Sequence, residues 1–256
     1  MKYGYFDDEQ KEYVITRPDT PLPWINYLGT EEFYGLISNT AGGYCFYQDS
    51  RMRRLTRYRY NNIPMDSNGR YLYIKDGDSI WNPMWKPMRV ALDRYECRHG
   101  LGYTRITGQK NELEVSILYF IPLESRNEIW QVQLRNLSKS VKKIRLWSFI
   151  EWCLWEAYDD MTNFQRNYST GQVEIENGTI FHITEYRERR NHYAYFTCSE
   201  KLSGFDSSRD AFVGVHQGLD APQAVLHGSC RNSIAYGWLP LAVQQVDFNL
   251  EPGAAT

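Results

Sequence analysis

The sequence predicts an all-β fold, one large antiparallel β-sandwich with few short helices. Three observations carry this. Apolar residues recur with a period of two along many short segments, turn residues punctuate those segments, and no long amphipathic helix stands out. At 256 residues, one large β domain is as consistent with the length as two small ones. A chain of this size buries a sizeable core without disulfide staples.

The segments follow in order. Glu31–Ser38, preceded by Thr30 as a candidate N-cap, is expected to form a short helix. In Leu113–Ile121 the residues Leu113, Val115, Ile117, Tyr119 and Ile121 share one face of a strand. Trp130, Val132 and Leu134 do the same in Glu128–Arg135. Lys143–Ile150 is apolar on both faces, so a central, doubly covered strand is expected there. Short polar turns separate these three strands, which predicts an antiparallel meander. Asn177-Gly178 between two apolar runs is a strong hairpin signal, because both residues readily take positive φ. Val246, Phe248 and Leu250 alternate before a Glu251-Pro252-Gly253 turn, and this last strand is expected to leave an unpaired edge.

Composition excludes several classes. A formal net charge of −2 gives no bulk attraction to nucleic acid or to an anionic membrane, and no apolar run approaches a membrane span. The amino terminus lacks a signal-peptide core, so cytoplasmic residence is expected. The 5 Cys and 5 His have no metal-ligand spacing. The thiols are expected to be buried and free, and neither metal nor cofactor is expected. Aromatic residues make up 15% of the chain, more than strand preference alone accounts for, and a minority are assigned to a carbohydrate site.

The segment with the most chemistry runs from Asp159 to Asn167, directly after the apolar stretch Ser148–Trp155. Acids, amides and one Arg beside aromatics suit sugar hydroxyls. The guanidinium is a fork of donors, amides donate and accept, and rings cover a pyranose face. Asp159 and Asp160 are read as a solvated or hydrogen-bonded loop pair rather than as catalytic carboxylates. Arg51, Arg53, Arg57 and Arg59 form a basic run whose main role is expected to be structural pairing with acids. Sugar or dimer contact is a smaller share of that expectation, and nucleic acid the smallest. The run Glu185–Arg190 mixes signs and reads as an ion-pair network. Gly42-Gly43 and Gly100–Gly102 read as turns or close backbone approaches, and His99 as a hydrogen-bonded strand-end residue. Among the tryptophans, Trp155 is ranked first for a place near a ligand.

Several collinear segments resemble the amino-terminal part of the cellobiose phosphorylases, in the inverting disaccharide phosphorylase family of glycoside hydrolases. They are Asp19–Gly29, Ala41–Tyr47, Arg51–Pro64, Arg98–Tyr103, Asp159–Asn167 and Thr184–Arg190, and the resemblance runs from Tyr3 to about Pro252. It implies a many-stranded supersandwich over residues 1–256, followed in the family by a helical linker and an (α/α) barrel. The chain is therefore expected to be a truncated piece with no catalytic residue of its own. The general acid and the site for inorganic phosphate, a co-substrate, would lie in the missing barrel domain. The resemblance assigns Gln165 and Arg166 to the acceptor glucose, with Asn163 in support. Glu156 stands where the family has Asn and is left out of that set. The implied activity is phosphorolysis of cellobiose to glucose 1-phosphate and glucose by a homodimer. A stand-alone carbohydrate-binding or structural module is the alternative, and chitobiose or another β-glucosyl disaccharide is the alternative substrate.

Overall fold

A computed structural model describes residues 2–58, 66–162, 171–184, 192–237 and 240–256. In chain order its strands are β1 (Gly4–Asp7), β2 (Glu12–Ile15), β3 (Ile25–Thr30), β4 (Phe33–Ser38), β5 (Gly43–Tyr47), β6 (Arg54–Thr56), β7 (Tyr71–Asp76), β8 (Ser79–Trp81) and β9 (Arg94–Gly100). They continue with β10 (Tyr103–Lys110), β11 (Leu113–Phe120), β12 (Ile129–Asn136), β13 (Lys142–Trp155), β14 (Gly171–Glu176), β15 (Thr179–Thr184), β16 (His192–Phe196), β17 (Gly204–Ser208) and β18 (Pro240–Leu250). Three short helices are interposed, α1 (Ala157–Thr162), α2 (Arg209–Phe212) and α3 (Gln223–His227). The predicted class is therefore the observed one.

Two sheets make the sandwich. One has the order β1-β2-β9-β10-β11-β12, and the other β17-β18-β13-β6-β5-β4-β3 with β7 and β8 attached to β13. Leu113, Val115, Ile117 and Tyr119 of β11 are fully buried, as their alternation requires. Lys142–Trp155 is central, pairing with β18 along one side and with β7 and β6 along the other. Its two apolar faces have different partners. Phe149 stacks on Phe212 of α2, with ring centroids 5.7 Å apart, so the short helices cover the outer side. A third sheet, β14-β15-β16, lies against Ile150 and Trp152 through Val173, Ile180 and Ala194.

Asn177 and Gly178 have φ of 48° and 80° and close the β14–β15 hairpin as predicted. A Cβ added at Gly178 would meet Leu202 Cδ1 at 3.1 Å in a backbone conformation costly for L-residues. Gly178→Ala is expected to cost about 1–2 kcal/mol, read from the urea midpoint.

Four expectations are corrected. Residues Glu31–Ser38 are not helical. Glu31, at φ 66°, turns the β3–β4 hairpin, and Phe33, Gly35 and Ile37 are the buried face of a strand. The three-strand meander breaks after β12. β11 and β12 pair, but Asn136 Nδ2 donates to the carbonyls of Ser140, Leu250 and Glu251 at the point where the chain crosses to the second sheet. A strand apolar on both faces belongs in the middle of a sheet, whereas β12 keeps one face exposed. β18 is not an open edge, since β17 and β13 flank it, and Leu134 and Asn136 of β12 donate backbone hydrogen bonds to Thr256 and Ala254. Of the thiols, Cys45, Cys97 and Cys153 are buried, Cys230 is intermediate and Cys198 is exposed. Burial pushes the Cys45 thiol up to about 12.

Candidate functional site

One end of the sandwich gathers charge that the sheets alone do not need. β6 ends at Thr56, and Arg57 follows it into the interior with a side chain 3% exposed. Arg57 Nε donates to Asp160 Oδ2 at 2.7 Å, Nη2 donates to the other oxygen of the same carboxylate, and Nη1 donates to Glu151 Oε1 at 2.6 Å. Asn68 Nδ2 donates to Glu151 Oε2, and Arg209 Nε lies 3.5 Å from Glu151 Oε1. Among the described residues, Arg57 and, from the margin, Arg209 face the buried carboxylates of Glu151 and Asp160. Burial alone would lower the guanidinium pKa of Arg57, but Glu151 and Asp160 overcome it and hold the group charged well above its ordinary value.

The network locks α1 onto β13 and β6. Glu156 caps the helix, with the Asp159 N–H donating to its Oε2 at 2.5 Å and Arg51 Nε donating to its Oε1 at 2.9 Å. Arg51 and the backbone N–H groups outweigh burial and keep the Glu156 carboxyl below its usual range. Asp159 and Asp160 thus lie on a helix, not in a loop. Asp160 is buried in ion pairs and Asp159 is half-buried. Sequence reading set Glu156 aside, and its only local signal was a carboxylate three residues before Asp159 at the end of a strand.

Beside this network, Trp152 stacks on His182 at 5.2 Å and 9°. Among the described residues, Trp152 Nε1, His182 Nε2 and Thr184 Oγ1 are buried with no hydrogen-bond partner. Burial, then the charge of Arg57, hold the His182 pKa down at about 3. Trp155, at φ 66° where β13 meets β6 with a register shift, lines a cleft of about 1210 Å³ walled also by Trp130, Ile150, Val246 and Phe248, with the β16 edge strand along its rim. Among the described residues no three His, Cys, Asp or Glu side chains converge as a metal cage.

Of the residues singled out in the sequence, Asn163, Gln165 and Arg166 lie outside the described residues, as do Arg59 and Glu185–Arg190. In sequence, Asn163 follows Thr162, the last residue of α1. In the basic run, Arg51 and Arg57 pair with acids. Arg53 lies over the Tyr47 ring, and Arg54 lies over Tyr44 at 3.7 Å. Leu101 and Gly102 turn β9 into β10, and Gly42 bridges to Gly69, matching the turn and close-approach readings. His99 is a β9 residue bonded to Thr104 Oγ1 and to the Trp24 carbonyl oxygen, and burial lowers its pKa to about 4.

The chain matches the model of the glycosyl hydrolase 94 supersandwich domain over residues 11–256. It is 34% identical to an N,N'-diacetylchitobiose phosphorylase of Vibrio furnissii over 99% of this chain and 32% of that protein. Against the N,N'-diacetylchitobiose phosphorylase of Vibrio proteolyticus the identity is 36%, over 99% of this chain and 32% of the relative. Against a solabiose phosphorylase of Paenibacillus borealis it is 31%, over 98% of this chain and 33% of the relative. The chain thus spans about a third of the length of the curated relatives it matches. With nearly every residue matched and the described strands forming an antiparallel sandwich, the chain belongs to the glycosyl hydrolase 94 family, in its supersandwich domain.

Proposed function

We propose that this chain is the sandwich portion of an inverting disaccharide phosphorylase and contributes to the site for the acceptor sugar. The observation that carries the reading is the family match across residues 11–256, shared with relatives that are disaccharide phosphorylases. In phosphorolysis with inversion, a phosphate oxygen attacks the anomeric carbon from the face opposite the glycosidic oxygen. That C–O bond breaks, and a general acid protonates the leaving oxygen. Phosphate takes the place of the activated water of an inverting hydrolase, so one protein carboxyl suffices. The acid and the phosphate site belong to the barrel domain of the longer, homodimeric, cytoplasmic protein in this reading. The sandwich supplies Gln165, Arg166 and Asn163 to the acceptor. No cofactor takes part.

Cellobiose is the proposed substrate, from the motifs Asn61–Pro64 and Asp159–Asn167. N,N'-diacetylchitobiose is the second reading, favoured by the two relatives at 34% and 36% identity. The test is release of glucose 1-phosphate, or its N-acetyl counterpart, from each disaccharide by the intact protein. Arg166→Ala is expected to raise the acceptor KM in the synthetic direction by about 10- to 100-fold, the worth of one or two hydrogen bonds to a charged group. Turnover of neither disaccharide, or an unchanged acceptor KM, would overturn the respective part of the reading.

A further inference from the structure

We propose that the outer face of the β14–β16 sheet is a binding platform for a neutral oligosaccharide, apart from the acceptor site. The sheet has two unlike faces. Val173, Ile180, His182 and Ala194 are buried against the sandwich, and the alternate residues point outward. The pairing register sets those outward residues in rows. Gln172, Ile183 and Tyr193 form one row, and Glu174, Phe181 and Tyr195 form the next. An isolated bridge from Gln172 to Tyr236 extends the first row beyond β14, because directly paired residues share a face. Tyr236, Tyr193 and Tyr195 are 86%, 60% and 51% exposed, and the Tyr195 hydroxyl donates to Asn127 Oδ1 at the edge of the sheet, which fixes that ring. Three large rings held open to water on one small sheet are costly unless something covers them.

The layout fits a polyol better than other occupants. Three interstrand spacings separate Tyr236 from Tyr193, about 14 Å, which is longer than one pyranose ring. Phe181 and Tyr195, with centroids 6.4 Å apart and planes tilted by 47°, offer two adjoining apolar surfaces. Between the outer tyrosines, Gln172 Nε2 donates to Glu174 Oε1 at 3.1 Å, and the rest of that carboxylate is free to accept from hydroxyls. The two rows carry no cation, so they lack what an anionic lipid or nucleic acid requires. Glu174 is the one charge in these two rows, and sugar hydroxyls can donate to its carboxylate without an ion pair. The choice of a β-glucan probe rests on the acceptor reading, but the platform does not.

The test is native electrophoresis of the intact protein through gels containing soluble hydroxyethyl cellulose or glycol chitin, with size-exclusion chromatography alongside. Retardation on at least one polymer is expected. It should weaken about tenfold or more in Tyr193→Ala/Tyr195→Ala/Tyr236→Ala, the loss of about 1.4 kcal/mol or more across three rings. The melting temperature should hold, since the replaced rings are exposed. If the triple variant does not fold, Tyr236→Ala alone should still weaken retardation. Arg166→Ala should leave it unchanged, which separates this site from the acceptor site. Three results would overturn the platform: no retardation on either polymer, equal retardation of wild type and variants, or conversion of a dimer to a monomer by the tyrosine variants. The last would make the face a contact between two copies.

Discussion

Arg57→Ala is expected to destabilise the sandwich by about 3–5 kcal/mol, the usual result of leaving buried charges without their partner. The substitution removes the three side-chain hydrogen bonds that tie α1 to β13. It leaves the buried carboxylates of Asp160 and Glu151 without the guanidinium between them, with Arg209, 3.5 Å from Glu151, at the margin. Arg57→Lys should recover only part of the loss, because one ammonium cannot bridge two carboxylates and also grip Asp160 with two parallel donors. Desolvation makes a further comparison informative. Arg57→Met combined with Asp160→Leu and Glu151→Met removes Arg57 together with both of its carboxylate partners, and should be more stable than Arg57→Ala alone. The measurement is urea unfolding at pH 7. A change below about 1 kcal/mol for Arg57→Ala would place Arg57 among ordinary surface pairs and overturn the network as an anchor of α1.

This network also marks where sequence reading stopped. The β11, β13 and β18 strands were legible because alternation is local, and so was the Asn177-Gly178 turn. The β3–β4 hairpin was missed although Phe33, Gly35 and Ile37 alternate, since a Thr followed by two Glu mimics a helix start. Sheet membership was not legible at all. Nothing within Asn136–Ser140 states that the next strand joins the opposite layer. The ion pairs were beyond reach for a related reason. Arg57 meets Glu151 and Asp160 across 94 and 103 residues, and a carboxylate on a six-residue helix has no periodicity to announce it. The expectation that the basic run pairs with acids holds for Arg51 and Arg57, but its depth could come only from the fold.

Acid should weaken this domain well above the pH at which ordinary carboxylates protonate, and His182 should account for much of the loss. Its folded pKa of about 3 lies below the unfolded value of about 6.5, so between these limits the unfolded chain binds a proton that the folded one refuses. Stability therefore falls as pH drops through that window, by about 1.4 kcal/mol per pH unit and about 4–5 kcal/mol in all, and levels off below it. His99, held at about 4, adds a second loss of about 3 kcal/mol between pH 6.5 and 4. Together they are comparable to the whole stability of a typical domain. The cause is the same at both sites, a ring buried where the charged form finds too little compensation. His182 lies flat on Trp152 near Arg57, and a proton on it would bring a second positive charge beside that guanidinium. His182→Phe keeps the stacked ring and removes a nitrogen that has no hydrogen-bond partner among the described residues. It should match or exceed the wild type at pH 7, since an unsatisfied buried polar atom costs about 1–3 kcal/mol. Its advantage should widen steadily toward pH 4. Urea midpoints at pH 7, 6, 5 and 4 read this directly. Parallel curves for the two proteins would show that His182 is not the titrating group, and a curve that rises on acidification would reverse the sign derived from its burial.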